Sequence, residues 1–271
     1  MLRAVAVQAL KVVKRPDCSC AEFAEVVERD PKLATDMLKL ANSPIYSPGR
    51  PISNLHQAVI RLGLRESKNL IMTSSIASLM KSIEFREEWI RDLLWRHSFF
   101  TAMLALHLNR TLDCGFHGEE FTAGLLHDFG RTLLAHIFPD EFLSIDPLEF
   151  DESCSPEQHE QTQLGMTHTT IGGWFAELNQ LPEELVAAIR FHHIATETVP
   201  HARLVALTAA ADHMSNHLQR YEESQGYPAS ENEAVEVLEQ LGVHRAIARF
   251  AEAGFSIIDE AASDVERLIS M

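Results

Sequence analysis

Cysteine, basic charge, long apolar runs and strand-like alternation are all scarce in this chain, and each shortage excludes something. Among 271 residues there are four cysteines, Cys18, Cys20, Cys114 and Cys154, too few and too scattered to brace the fold with disulfides. Cys18-x-Cys20 has no second cysteine pair to complete a zinc site, so reduced thiols and a cytoplasmic setting are expected. Lysine and arginine total 23 against 39 aspartates and glutamates, a formal charge of −16. That balance argues against sequence-independent nucleic-acid binding, which depends on cations that neutralise phosphates, and against an anionic membrane surface. No apolar run approaches the roughly 18 residues of a spanning helix, and the opening M-L-R-A-V-A-V-Q-A-L-K lacks the core of a secretory leader. Internal repeats and low-complexity tracts are absent as well.

What is present is helical period. With 46% apolar and 23% charged residues, the chain has the composition of a globular protein, and nearly every apolar pattern recurs at three to four residues. The expected fold is all-α. Val5–Val13 makes a first short helix closed by Pro16. Ser19 with Glu22 forms a capping-box signature, and Asp30-Pro31 places an N-cap before an N1 proline. Asn42–Pro51, rich in Pro, Gly and Ser, reads as a loop. Ser53 caps the next helix, Gly63 ends it, and another covers about 66–81. Residues 1–82 therefore read as an N-terminal bundle of short helices packed on a multi-helix core at 83–220, followed by a helical tail at 221–271. Within the core, one helix carries His97 and a second spans about Glu119–Phe129. The acidic, proline-broken stretch Pro139–Pro156 reads as a connection, and Tyr221–Glu231 as a polar, mobile one.

Seven residues stand out against that background: His97, His127, Asp128, His168, His192, His193 and Asp212. They sit in or beside apolar helical runs such as A-G-L-L-H-D-F-G-R and A-A-I-R-F-H-H, where unpaired imidazoles and carboxylates are costly to desolvate. An isolated histidine in such a place is usually a hydrogen-bonded core residue. The ordered set H, HD, H, HH, D is far more specific. A divalent transition metal, one ion or two, is the simplest partner; imidazole and carboxylate donors suit Fe or Mn foremost, with Zn, Ni or Co as alternatives. An aspartate directly after a histidine can share its two oxygens between adjacent ions.

Two stretches carry a family resemblance. E-V-V-E-R-D-P-K-L-A-T-D-M-L-K-L-A-N-S-P-I-Y followed by P-I-S-N-L-H-Q-A-V-I-R-L-G-L resembles the opening bundle of HDOD proteins, a bacterial signalling branch of the HD-domain superfamily. W-R-H-S, A-G-L-L-H-D-F-G-R, I-R-F-H-H and A-A-A-D-H then resemble an HD core, over residues 1–215 in all. The resemblance implies a regulatory module with a signalling protein partner. Similarity to two-metal HD-GYP phosphodiesterases implies that His97, His127, Asp128 and Asp212 hold one ion, with Asp128 bridging to a second on His168 and His192. His193 is a further ligand, a residue that supports the ligands from behind, or a phosphate contact.

Three departures separate the chain from active HD-GYP enzymes. Arg131 replaces the lysine of H-D-x-G-K, the GYP loop after the histidine pair is missing, and Leu93 stands where trinuclear sites carry glutamate. Two ions are thus the ceiling, and a regulatory role ranks above catalysis. The alternative is a metal-dependent phosphohydrolase or phosphodiesterase acting on a phosphorylated or nucleotide ligand. In that reading a hydroxide trapped between two ions that Asp128 bridges attacks phosphorus, while Arg131 clamps phosphoryl oxygens. A di-iron oxygenase is a more distant option at the same ligands.

Overall fold

The computed structural model describes residues 4–13, 15, 17–42, 51–151 and 156–269. Pro16, residues 43–50 of the expected loop and Cys154 lie outside that set. Among the described residues every regular element is helical, and the chain divides into two compact units, Met1–Ile83 and Glu84–Met271.

The first unit comprises α1 (Ala4–Val13), α2 (Cys20–Val27), α3 (Pro31–Ala41) and α4 (Leu55–Ser82). Ser19 Oγ accepts from the Glu22 N–H, and Asp30 accepts from the N–H groups of Lys32 and Leu33 behind Pro31, so local capping chemistry starts both helices. The third start differs from expectation. Asn54, not Ser53, is the N-cap of α4, its side chain accepting from the Gln57 N–H. Gly63 does break that helix, with φ of 81°, but the chain resumes the helix at once. The positive φ suits a residue without Cβ. Asn42 bonds both backbone groups of Ile52, at 2.7 and 2.8 Å, and so ties the end of α3 to the approach to α4.

In the second unit α5 (Glu88–Leu112) is the central post. Every residue from His97 to Ala105 is buried, the pattern of a helix covered on all sides. It is flanked by α6 (Glu119–Leu126), α7 (Phe129–Ile137), α12 (Ala202–Tyr221) and α14 (Ala246–Ile269). The short α8 (Phe142–Ile145), then α9 (Pro156–Leu164), α10 (His168–Leu178) and α11 (Glu183–Phe191) build the side next to α7, and α13 (Glu233–Gln240) leads into α14. The acidic 139–156 stretch is more than a connection. Phe142 and Leu148 enter an apolar cluster with Ile90, Leu94, Leu134 and Ala135, which pins the segment between them. The polar 221–231 stretch is anchored too. Tyr227 is buried, and its hydroxyl meets Asn232 Nδ2 at 2.7 Å and His213 Nδ1 at 2.9 Å. The tail helices belong to this unit, α14 lying along α5. There His107 bonds Asp264 at 3.1 Å.

Candidate metal centre

His127 and Asp128 do not lie inside one helix. They form the turn between α6 and α7, His127 as the last cap of one and Asp128 as the first cap of the other. Two glycines make the turn possible by letting backbones meet. A Cβ on Gly124 would lie 2.8 Å from the Ala102 backbone, and one on Gly130 only 1.9 Å from the His168 carbonyl oxygen. The second contact brings α10, with His168 as its first residue, against the His-Asp turn.

Five histidines and two aspartates then converge as two clusters that meet at Asp128. In the first, His97 Nε2 lies 3.3 Å from His127 Nε2 and 3.1 Å from Asp212 Oδ1, and His127 Nε2 lies 3.2 Å from the same oxygen. Asp128 Oδ2 closes this group at 3.5 and 3.6 Å from the two imidazoles. In the second, Asp128 Oδ1 is 3.4 Å from both His168 Nε2 and His192 Nε2, and His168 Nε2 is 3.0 Å from His193 Nε2. All of these residues are buried except His193, which is exposed. The single residue Asp128 therefore offers one oxygen to each cluster.

The arrangement fits a metal on three grounds. Ligand bonds of about 2.0–2.2 Å set neighbouring donors around one ion about 3.0–3.6 Å apart, the spacing found here. Four imidazoles are held from behind: His97 Nδ1 by Ser215 Oγ at 3.2 Å, His127 Nδ1 by the Gly124 carbonyl at 2.8 Å, His192 Nδ1 by the Ile189 carbonyl at 3.0 Å, and His168 Nδ1 by Glu160 at 2.9 Å. An acceptor at Nδ1 keeps the hydrogen there and leaves the Nε2 lone pair for an ion. Ser215 can accept from His97 because its hydroxyl also has the His97 carbonyl to donate to, at 3.3 Å. Finally, Asp128 Oδ1 and His192 Nε2 are buried with no hydrogen-bond partner. Such orphans are rare in native interiors, and a shared cation removes both.

Electrostatics agree. Burial works against ionised Asp128 and Asp212, yet the surrounding imidazoles, with Arg131 at Asp128, hold both carboxyls well below their usual range. At His127 burial is likewise outweighed, here by the two aspartates, and its pKa rises. His97 goes down because burial dominates. His168 is raised to about 9; burial opposes this, and the Glu160 carboxylate overcomes it. Both carboxylates therefore stay ionised at the centre of the imidazole cluster, where they can face a cation.

Arg131 occupies a different place from the phosphate clamp expected of it. Its guanidinium grips Asp146 with Nε and a terminal nitrogen at 2.7 and 2.8 Å, and its other terminal nitrogen meets Asp128 Oδ2 at 2.9 Å. Phe150 covers this network, its ring 4.8 Å from that of His97 and 5.0 Å from the guanidinium carbon. A cavity of about 900 Å³ opens beside the centre, lined by Asp128, Asp212 and His193 and bounded by Asp146, Glu149 and Glu157. Asp146, Glu160, Ser215 and Phe150 escaped the sequence reading; none carries a local signal that separates it from an ordinary polar, acidic or apolar residue.

Comparison with known proteins gives a consistent picture. A family model for the HDOD domain matches residues 1–195. An uncharacterized protein of Treponema pallidum is 26% identical over 193 residues, 71% of this chain. The chain spans 36% of the length of that curated relative. Among solved structures, an HDOD domain protein of unknown function from Geobacter sulfurreducens superimposes with a TM-score of 0.77 at 26% identity, covering 97% of this chain and 91% of that one. A protein of Shewanella amazonensis, provisionally named a phosphohydrolase, gives 0.69 at 21% identity over 97% and 93%. One of Marinobacter aquaeolei, provisionally named a signal transduction protein, gives 0.65 at 24% over 97% and 59%. No helix among the described residues is long and apolar enough to cross a membrane.

Proposed function

This chain belongs to the HDOD family, and from that premise we propose that it is a signalling protein whose core is a dinuclear metal centre that hydrolyses a phosphate ester. The observation that carries the reading is the position of Asp128: its two oxygens face two separate ligand clusters, and it lies at the wall of an open cavity. A purely structural ion is normally closed off by its ligands, whereas a catalytic one keeps a position open. The provisional names of the Shewanella and Marinobacter proteins, a phosphohydrolase and a signal transduction protein, run in the same direction.

His97, His127 and Asp212 would hold one ion, His168, His192 and His193 the other, and Asp128 would bridge them; Fe or Mn suits this donor set best. When bound, such ions activate water and polarise phosphoryl oxygens. The chain's own residues do the rest. Arg131 fixes Asp128 Oδ2, Asp146 fixes Arg131, and the acceptors at Nδ1 keep the imidazoles of His97, His127, His168 and His192 in register. Phe150 shields His97 from water, and His193 stands at the accessible wall where a ligand enters.

One observation favours a second reading, a regulatory module with a structural metal. Arg131, the one arginine among the described residues that line the cavity, is spent on two carboxylates, which leaves no arginine or lysine of that lining for phosphate. Elemental analysis together with turnover of p-nitrophenyl phosphate and bis(p-nitrophenyl) phosphate decides. Two equivalents of metal and hydrolysis that disappears in Asp128→Ala support the enzyme. Metal whose removal lowers the melting temperature, without turnover of either ester, supports the regulatory module.

A further inference from the structure

Glu160 has no part in the ligand set, yet it is the one fully buried residue of α9, a helix whose other described residues are all at least partly exposed. A carboxylate taken out of water needs strong partners to stay ionised. Both of its partners belong to His168. Glu160 Oε2 accepts from the His168 backbone N–H at 2.7 Å and from its Nδ1–H at 2.9 Å, and Oε1 lies 3.0 Å from the same nitrogen. Because His168 opens α10, the carboxylate also caps the positive end of that helix.

The contrast with the other tethered imidazoles gives this contact its meaning. His97, His127 and His192 lean on neutral oxygens, a hydroxyl and two carbonyls. Of the four, His168 alone leans on an anion. A carboxylate behind an imidazole orients the ring and strengthens its Nε2 as a donor. That Nε2 lies 3.4 Å from Asp128 Oδ1 and 3.0 Å from His193 Nε2, wholly within the second cluster.

We propose that Glu160 is the positioning residue of the second metal subsite, and that it makes the two subsites unequal: occupation of the His168–His192–His193 subsite depends on Glu160, and occupation of the His97–His127–Asp212 subsite does not. This rests on the metal-centre reading above.

The test is a Co²⁺ titration of metal-free protein followed by visible absorption, on wild type and Glu160→Gln. Glutamine keeps the size and one acceptor oxygen but removes the charge. The expected result is a second equivalent bound about 10–100-fold more weakly with the first unchanged. Glu160→Asp, which restores the charge, should recover part of the loss. A readout independent of metal is the Nδ1–H resonance of His168 in the metal-free protein, expected far downfield in wild type and moved upfield in Glu160→Gln. Should Glu160→Gln fail to fold by circular dichroism, Glu160→Asp decides: a weaker second equivalent supports the proposal and an unchanged one overturns it. Two equivalents at wild-type affinity in Glu160→Gln, with only the melting temperature lowered, overturn the proposal alone. A wild type that takes up no Co²⁺ overturns the metal-centre reading and this proposal with it.

Discussion

Arg131 and Asp146 form a two-point ion pair at 2.7 and 2.8 Å, and through it Arg131 is turned so that its remaining nitrogen meets Asp128 at 2.9 Å. All three residues are at most 5% exposed. The aspartate shared by the two clusters is thus held by a guanidinium that is itself held by a residue fifteen positions away.

Breaking this triad should be felt in stability before it is felt in any ligand. Arg131→Met strands two buried carboxylates, and the expected cost in metal-free protein is about 3–5 kcal/mol, read from urea denaturation. Arg131→Lys should recover only part, because an ammonium cannot reproduce the forked contact. A phosphate clamp would behave in the opposite way, leaving stability nearly unchanged while weakening ligand binding.

Gly130 offers a purely steric route to the same centre. A Cβ there would sit 1.9 Å from the His168 carbonyl oxygen, so Gly130→Ala forces α7 and α10 apart. The expected destabilisation is at least about 1–3 kcal/mol, measured by thermal unfolding. His168 moves away from Asp128 with α10, so the second Co²⁺ equivalent should be lost as well. Unchanged Co²⁺ stoichiometry would show that the two helices do not set the position of His168.

These cases show which parts of the centre the sequence could announce. The ligand types are conspicuous because imidazole and carboxylate side chains inside A-G-L-L-H-D-F-G-R break the apolar pattern around them. The turn at His127-Asp128 is less so, since helical periodicity continues through it and the break follows from Gly124 and Gly130 meeting other helices. Glu160 and Asp146 are harder still. Each lies in a stretch of acidic and polar residues that reads as solvated, and its burial comes from partners eight and fifteen residues distant. Tyr227 is the same lesson in the tail, where Asn232 and His213 give a hydroxyl in a polar segment its reason to be inside. Capping is local and mostly legible, as at Ser19 and Asp30. Choosing Ser53 over Asn54 failed because either side chain can cap and backbone geometry selects between neighbours.

Cys114 supplies a pH prediction away from the metal ligands. Burial pushes its thiol up to about 12 from an ordinary value near 9. The native state therefore keeps a proton that the unfolded chain gives up sooner. This contribution to stability is complete below pH 9 and is lost as pH rises toward 12. Denaturant midpoints should fall across that window, and Cys114→Ala should flatten the part of the fall due to the thiol. At pH 8, peptide mapping after iodoacetamide treatment of native protein should find Cys114 unmodified, because the thiolate is the reactive form and the side chain is only 2% exposed.

The charge around the cavity makes the last prediction, which rests on the phosphohydrolase reading. Arg131 is the one arginine or lysine among its lining residues and is committed to Asp128 and Asp146. Glu149 and Glu157 also line the cavity, and Asp151 is neutralised there by Arg220 at 2.6 Å. Two divalent ions can balance one phosphoryl group, but among the described lining residues no uncommitted arginine or lysine is left to compensate a second or third phosphate. Like charges in a partly desolvated cavity repel more strongly than in water. Metal-loaded protein should therefore bind a phosphomonoester such as AMP more tightly than ATP, measured by calorimetry at fixed free metal. Glu149→Lys and Glu157→Lys should narrow or reverse that preference, and added salt should narrow it in the wild type. Tighter binding of ATP than of AMP by the wild type would show that the carboxylates do not govern which phosphates enter.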